Sequence, residues 1–215
     1  MARQARAEIT RDAVLAGAAE VFLRLGYANA SLNEIMAHSN VTKGALYFHF
    51  GSKEELARTV VDLGDRRLRD AMQTYFDQRV PALESCIGIS YVVADLAVSD
   101  PMVGAMLKLN QQIGDFYGTT GQNLLADWTQ RHADLVARAR DEGDLRSDID
   151  PDSLSLMLQE MILGAHLVAS GLDRLDKMAY QLERLWFYLL PAIVPDDKAG
   201  YFQQFAARRL RSVDH

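Results

Sequence analysis

Residues 31–53 read SLNEIMAHSNVTKGALYFHFGSK, and the order of caps and turns in this stretch decides the fold. Ser31 and Glu34 have the S-x-x-E spacing of a capping box, in which each side chain satisfies a free backbone amide at a helix start. Leu32, Ile35 and Met36 then repeat at helical spacing and form one apolar stripe, while Asn33 and His38 fall off it. Ser39 and Asn40 interrupt the pattern, and Asn is the residue after Gly that best tolerates the left-handed backbone of a sharp helix exit. Thr42 supplies a new N-cap, so residues 43–47 form a short second helix whose leading residues are small or polar. Ser52 and Glu55 repeat the capping-box spacing and open a longer helix. A buried strand over residues 46–50 is the competing reading of these half-alternating aromatics, but a strand leaves two capping boxes around a Val-Thr turn unexplained. The expected unit is a helix-turn-helix followed by the cap of a third helix.

A short helix that begins Thr-Lys-Gly-Ala is a poor core element and a suitable one to enter a DNA major groove. Its small residues allow close approach, and Lys43 can reach a phosphate or a guanine edge. Tyr47, His49 and Lys53 follow at spacings that can set a hydroxyl, a ring nitrogen and an ammonium along the DNA backbone.

Residues 41–56, VTKGALYFHFGSKEEL, resemble the recognition helix and following cap of the TetR family of transcriptional repressors. The form TKGALYFHF and the start MARQARAEITR are similar to its gamma-butyrolactone receptor branch, known from antibiotic-producing actinomycetes. The resemblance implies an all-α protein with a DNA-binding segment over residues 1–52 and a helical ligand-binding and dimerisation segment over 53–215. It also implies DNA contact by Thr42, Lys43, Gly44, Ala45, Tyr47, His49 and Lys53, and Ser31, at the opening of the first helix, is expected to contact DNA with them. Two positions depart from the family pattern: Asn40 stands where Gly is usual, and Ser39 where a small apolar residue is usual. Because Asn is tolerated at positive φ, the turn is expected to stay intact.

Toward the N-terminus, Arg3 and Arg6 stand in a polar arm that either reaches DNA or is a solvated terminus. Val14, Ala18, Val21, Phe22 and Leu25 keep helical spacing, and Gly26 is placed to end that supporting helix. The helix capped by Ser52 runs on through Val60, Val61 and Leu68, and the resemblance makes it the link between head and body. Pro81 marks a break before an apolar helix over 83–98, and Pro101 starts another toward Phe116. Gly118, Gly121 and two threonines read as a loop that lacks the G-x-x-x-x-G-K spacing of a phosphate cradle.

Residues 122–140 form a further helix containing Trp128. By pattern alone a lone Trp is ordinary core, but the resemblance places a Trp here over the ligand pocket. Tyr91, Phe116, Met157 and Met161 are available to line the same pocket, although Met-rich surfaces also describe a plain helical core. The helices expected over 154–169 and 175–190 are apolar on more than one side, which calls for burial toward both a core and a partner chain. The resemblance makes them the pair that builds a four-helix bundle with a second copy. Pro191 and Pro195 are expected to stop the second of them, leaving a short basic-tipped helix over 201–210.

The chain has 215 residues, 49% of them hydrophobic, enough for a sizeable core. No signal peptide or uninterrupted membrane-length apolar run is read from the sequence, and the single Cys86 reads as a core thiol with redox sensing as the alternative; the expected compartment is the cytoplasm. The formal net charge of −6 looks unsuited to DNA until it is divided by region. Residues 1–58 hold seven Lys or Arg against six acids, a net of +1, which leaves −7 for the rest. Phosphate affinity follows local charge, so the head suits DNA and the acidic body serves another purpose.

No nucleophile elbow, H-E-x-x-H, dinucleotide fingerprint or cysteine cluster occurs, so neither an enzyme nor a cofactor or metal site is expected. What the sequence and the resemblance imply is a homodimeric repressor that binds a palindromic operator and is released by a small gamma-butyrolactone-type signal. A receptor-like regulator answering butenolides, furans or an antibiotic is one alternative, and a constitutive DNA binder without ligand is another.

Overall fold

The computed structural model describes residues 2–112 and 118–213. Among them the secondary structure is helical and contains no strand. Ten α-helices follow one another among these residues: α1 (Ala2–Asn29), α2 (Leu32–Ser39), α3 (Lys43–His49), α4 (Lys53–Met72), α5 (Ala82–Ser99), α6 (Pro101–Gln112), α7 (Gly118–Asp141), α8 (Pro151–Gly171), α9 (Met178–Ile193) and α10 (Asp196–Val213). Two compact units result, one from Met1–Arg69 with Ser99–Gln122, the other from Asp70–Val98 with Asn123–His215. The segment expected to bind DNA, residues 1–52, lies inside the first unit, which also takes in most of α4 and α6.

In the first unit α1 packs on α2, α3 and α6, and of the apolar set read from the sequence Val14, Ala18, Val21 and Phe22 are buried and Leu25 is half-buried. Gly26 interrupts α1 at φ 75° and ψ 175°, so the helix stops and restarts within four residues. The carbonyls exposed by that break are held by side chains: Lys108 Nζ donates to Leu23 O at 2.7 Å and Lys53 Nζ to Tyr27 O and Ala30 O at 2.8 and 2.9 Å. Close approach also shapes the unit. A Cβ on Gly64 would lie 2.5 Å from Met106 Cβ, so α4 and α6 touch backbone to side chain, and Arg67 of α4 pairs with both oxygens of Asp100 at 2.9 Å.

The second unit is built round α5, which is buried on most of its surface. Trp186 of α9 is fully buried and donates its Nε1–H to Ser90 Oγ at 2.9 Å, tying α9 to α5 by a hydrogen bond inside the apolar core. Glu142 at the end of α7 accepts from the Ala82 amide at 2.8 Å and so caps the start of α5. Gly88 is where the Tyr75 ring lies on α5, since a Cβ there would come within 2.2 Å of the ring.

Several boundaries differ from those the sequence suggests. α7 begins at Gly118, so Gly118 and Gly121 lie in a helix and not in a loop. Once residues 122–140 are helical, each residue added in front gains a hydrogen bond cheaply, and weak helix formers follow. α9 runs through Pro191 to Ile193. Proline there leaves the Phe187 carbonyl without its helical partner, and the Gln203 side chain of α10 donates to it at 3.1 Å. α10 is 18 residues long, well beyond the short helix expected over 201–210. By length and composition α5 and α8 reach what a membrane span needs, although Glu84 and Asp95 interrupt the first and Asp152 and Glu160 the second, so neither is an uninterrupted apolar run; 67% of α5 is buried inside the protein.

Candidate DNA interface and ligand body

The helix-turn-helix is fixed by local hydrogen bonds. The Ser31 amide donates to Glu34 Oε2 at 2.9 Å and the Glu34 amide to Ser31 Oγ at 3.2 Å, a complete capping box. Asn40 takes the left-handed conformation at φ 53° and ψ 42°, and its amide donates back to Met36 O. Ser39 lies against Gly17 of α1: a Cβ on Gly17 would lie 2.8 Å from Ser39 Cβ, so the close approach of α1 to α2 here requires glycine at position 17. Thr42 Oγ1 accepts from the Ala45 amide at 3.3 Å and starts α3. The second capping box is half formed. Ser52 Oγ accepts from the Glu55 amide at 3.0 Å, but the Glu55 carboxylate takes the amide of Gly51 at 2.8 Å in place of that of Ser52.

α3 is anchored by the buried Leu46 and presents Lys43, Gly44, Tyr47 and Phe48 outward. Tyr47 is exposed, with Lys43 Nζ 5.9 Å from its ring centroid, so hydroxyl and ammonium share one flank. Ala45 and His49 are half-buried, and Thr42, Lys43 and Gly44 are exposed. Lys53 is drawn inward: besides its two carbonyl bonds, its ammonium lies 4.3 Å from the Tyr27 ring centroid. It braces the helix that supports the recognition helix, a role its sequence position did not disclose.

In the body Trp128 is half-buried and stacks on His132, centroids 5.7 Å apart. His132 Nδ1 is 3.0 Å from Trp128 O; a carbonyl only accepts, so Nδ1 carries the proton and Nε2 is left as an acceptor. Among the described residues that buried Nε2 has no partner, and the same holds for Tyr91 OH and Gln159 Nε2. Gln159 is fixed through its other amide atom, which accepts from Thr129 Oγ1 at 3.1 Å. Burial pushes the Tyr91 hydroxyl up and lowers the His132 imidazole from its usual value, the bond to Trp128 O opposing the second shift. Cys86 is buried, and that burial pushes its thiol up to about 12, which favours the protonated form. Among the described residues no group of three or more His, Cys, Asp or Glu is placed to hold a metal ion.

Residues 14–60 match the family model for bacterial regulatory proteins of the tetR family, and residues 80–195 match that for the tetracyclin repressor-like C-terminal domain. The chain belongs to the tetR family. Within it, the chain is 30% identical over 193 residues to the A-factor receptor protein of Streptomyces griseus, covering 90% of this chain and 67% of that one. A crystal structure of a gamma-butyrolactone receptor, an ArpA-like protein, superposes with a TM-score of 0.83 at 29% identity, over 96% of this chain and 99% of the other. CprB of Streptomyces coelicolor in complex with its biological operator sequence matches at a TM-score of 0.81 and 27% identity, over 96% and 99%. These relatives are regulators and receptors, not enzymes, and this chain is a tetR-type transcriptional repressor.

Set against the family fold, α3 carries Lys43, Gly44, Ala45, Tyr47 and His49, with Ser31 and Thr42 at the caps on either side of the turn. In the body, Trp128 and His132 form one stacked pair and Tyr91 is buried in α5. Phe116 lies outside the described residues. Met161 is half-buried, whereas Met157 is 40% exposed beside the exposed Leu156; an outward methionine suits a partner chain and not an enclosed ligand, because helix geometry turns it away from the Leu158–Ile162 core side. Sequence reasoning missed His132 as the partner of Trp128 and Gln159 as a buried open amide. The i, i+4 spacing of Trp128 and His132 was the available signal.

Proposed function

We propose that the chain works as a homodimer on a palindromic operator and lets go of it when a small gamma-butyrolactone-type molecule enters the body. The observation that carries the ligand half of this reading is a set of buried polar atoms without partners among the described residues, two of them beside Trp128: His132 stacks on its ring and Gln159 is bonded to the next residue, Thr129. His132 Nε2 offers an acceptor, Gln159 Nε2 offers donors, and Tyr91 OH offers either. Such an atom costs about 1–3 kcal/mol if left open, so the arrangement favours a guest that brings a hydroxyl to one and a carbonyl to the other. A lactone with a hydroxyl group and an alkyl tail has both, and the tail suits the surface that Trp128 leaves half-buried. The relatives named as receptors for A-factor and for gamma-butyrolactones support the same class.

Dimerisation is supported by α8 and α9, which pack together and leave Leu163, Leu167, Val168, Phe187 and Tyr188 exposed. An apolar surface of that extent marks a protein partner, and a second copy supplies the symmetry that a palindromic operator requires. The ligand acts by binding the released form more tightly than the DNA-bound one, and the coupling is reciprocal. A regulator of this kind works where the chromosome is, in the cytoplasm.

The test is selection of bound sequences from random duplex DNA, followed by release with a panel of gamma-butyrolactones, butenolides and furans, on the wild type and on Trp128→Phe and Gln159→Leu. The expected result is a palindrome freed by a hydroxylated lactone, with release weakened in both variants. Release by an unhydroxylated furan that Gln159→Leu does not alter would overturn the assigned ligand class. A palindrome that no small molecule releases would return the protein to the constitutive binders.

A further inference from the structure

Phe48 of the recognition helix is 75% exposed, the highest value among the exposed large hydrophobic residues that the structure describes. Successive residues of a helix are about 100° apart, so with Leu46 pointing inward, Gly44 and Phe48 lie within about 40° of each other on the opposite side. The ring meets the neighbouring His49 edge-on at 5.0 Å and buries little else. Phe48 therefore stands at the centre of the outward face, with Lys43 and Tyr47 to one side and His49 to the other.

Gly44 gives a second, independent observation. A Cβ built on it meets no atom within 4 Å, and it is not among the positive-φ residues of the chain. Neither packing nor backbone conformation within the protein calls for glycine here, and glycine weakens a helix relative to alanine. The room is kept for a surface outside the chain. An open cleft of about 350 Å³ follows the same face, lined by Arg6, Thr10, Gly44, Ala45, Phe48 and His49, with one cation, Arg6, among them.

A partner that fits is anionic at the rim and carries a small apolar group at the centre. In the major groove the apolar group that a base pair presents is the C5 methyl of thymine. We propose that Phe48 reads a thymine in each operator half-site, its ring packing on the C5 methyl while Gly44 and Ala45 let the base edge approach. The inference rests on operator binding and is independent of which ligand releases the protein.

The test replaces each thymine of the selected operator, one at a time, by deoxyuridine, which deletes only the methyl group. Dissociation constants are measured for the wild type, Phe48→Ala and Phe48→Leu. The wild type should lose about fourfold in affinity at one thymine per half-site, the value of one buried methyl group. Phe48→Ala should be indifferent to the methyl at that position, and Phe48→Leu, which keeps an apolar side chain, should retain part of the sensitivity. Should Phe48→Ala bind too weakly to measure, a reduced methyl response in Phe48→Leu at that position alone supports the assignment, and an unchanged one overturns it. Equal methyl sensitivity in wild type and variants at every thymine, or none in the wild type, overturns it as well. In that case the ring serves the sugar-phosphate backbone or a neighbouring protein.

Discussion

The DNA-binding head and the acidic body obtain their order from different distances along the chain. In the head, Ser31 answers Glu34, Thr42 answers Ala45 and Ser52 answers Glu55, each three residues away. In the body, Trp186 answers Ser90 from 96 residues away, and Glu142 answers Ala82 from 60. The body also leaves buried polar atoms open at Tyr91, His132 and Gln159. The difference teaches a division of labour. A reader of DNA needs a fixed geometry, which local caps supply cheaply; a responder needs unfilled capacity, which only tertiary burial can create.

The largest effect should come from breaking the body's outward face. Leu163→Arg places a charge in the exposed apolar stripe of α8, and sedimentation should show monomers whose operator affinity has fallen on the order of a hundredfold, because one half-site contact no longer assists the other. A dimer with normal affinity would remove α8 from the interface. Gly164 sharpens the same point, since a Cβ there meets nothing within the protomer. Gly164→Leu should leave the protomer's Tm nearly unchanged while weakening the dimer.

Breaking the head comes next. Tyr47→Ala should weaken binding to all sequences by roughly tenfold, the outcome for a phosphate contact, with the dimer intact. Lys43→Ala should either reduce the salt slope by about one or relax sequence choice, and the result classes Lys43 as a phosphate contact or a base reader. Lys53→Met should behave differently from both. Loss of its bonds to Tyr27 O and Ala30 O should cost about 1–3 kcal/mol of stability, seen as a lower Tm, with the salt slope of DNA binding unchanged. A normal Tm with a reduced slope would return Lys53 to the phosphate contacts.

The smallest effect is one of pH and belongs to the body. Burial holds His132 and His166 below the ordinary 6.5. The unfolded chain takes up protons near 6.5 while the folded chain does not, so stability falls as pH drops below 6.5 and levels off beneath the folded-state values. His132→Phe should flatten the decline of Tm between about pH 6.5 and 5, by the one-group linkage that governs it; an unaltered slope would assign the effect to His166 or to carboxylates.

What was legible in the sequence follows the same distance rule. Asn40 announced its left-handed turn and Gly26 its break, because backbone conformation is a property of one residue and its neighbours. The recognition helix could be read from caps alone, whereas the pattern around Trp128 did not tell core from pocket. Pro191 misled because the side chain that rescues its helix, Gln203, belongs to a different helix. Met157 misled because α8 is apolar on two sides, and pattern does not say which side meets a ligand and which a partner. Phe48 escaped notice since an aromatic on a short helix is ordinarily core, and only its exposure marks it otherwise.

The break at Gly26 has a consequence in time. It splits α1 into two hydrogen-bond ladders, and the carbonyls at the junction are held by the ammonium groups of Lys53 and Lys108. Amides of the first ladder exchange with solvent only when the buried face around Phe22 opens, whereas the second ladder is short and released once two lysines let go. Hydrogen-exchange protection along α1 therefore drops in a step at Gly26, so that the two halves of the broken helix keep two clocks.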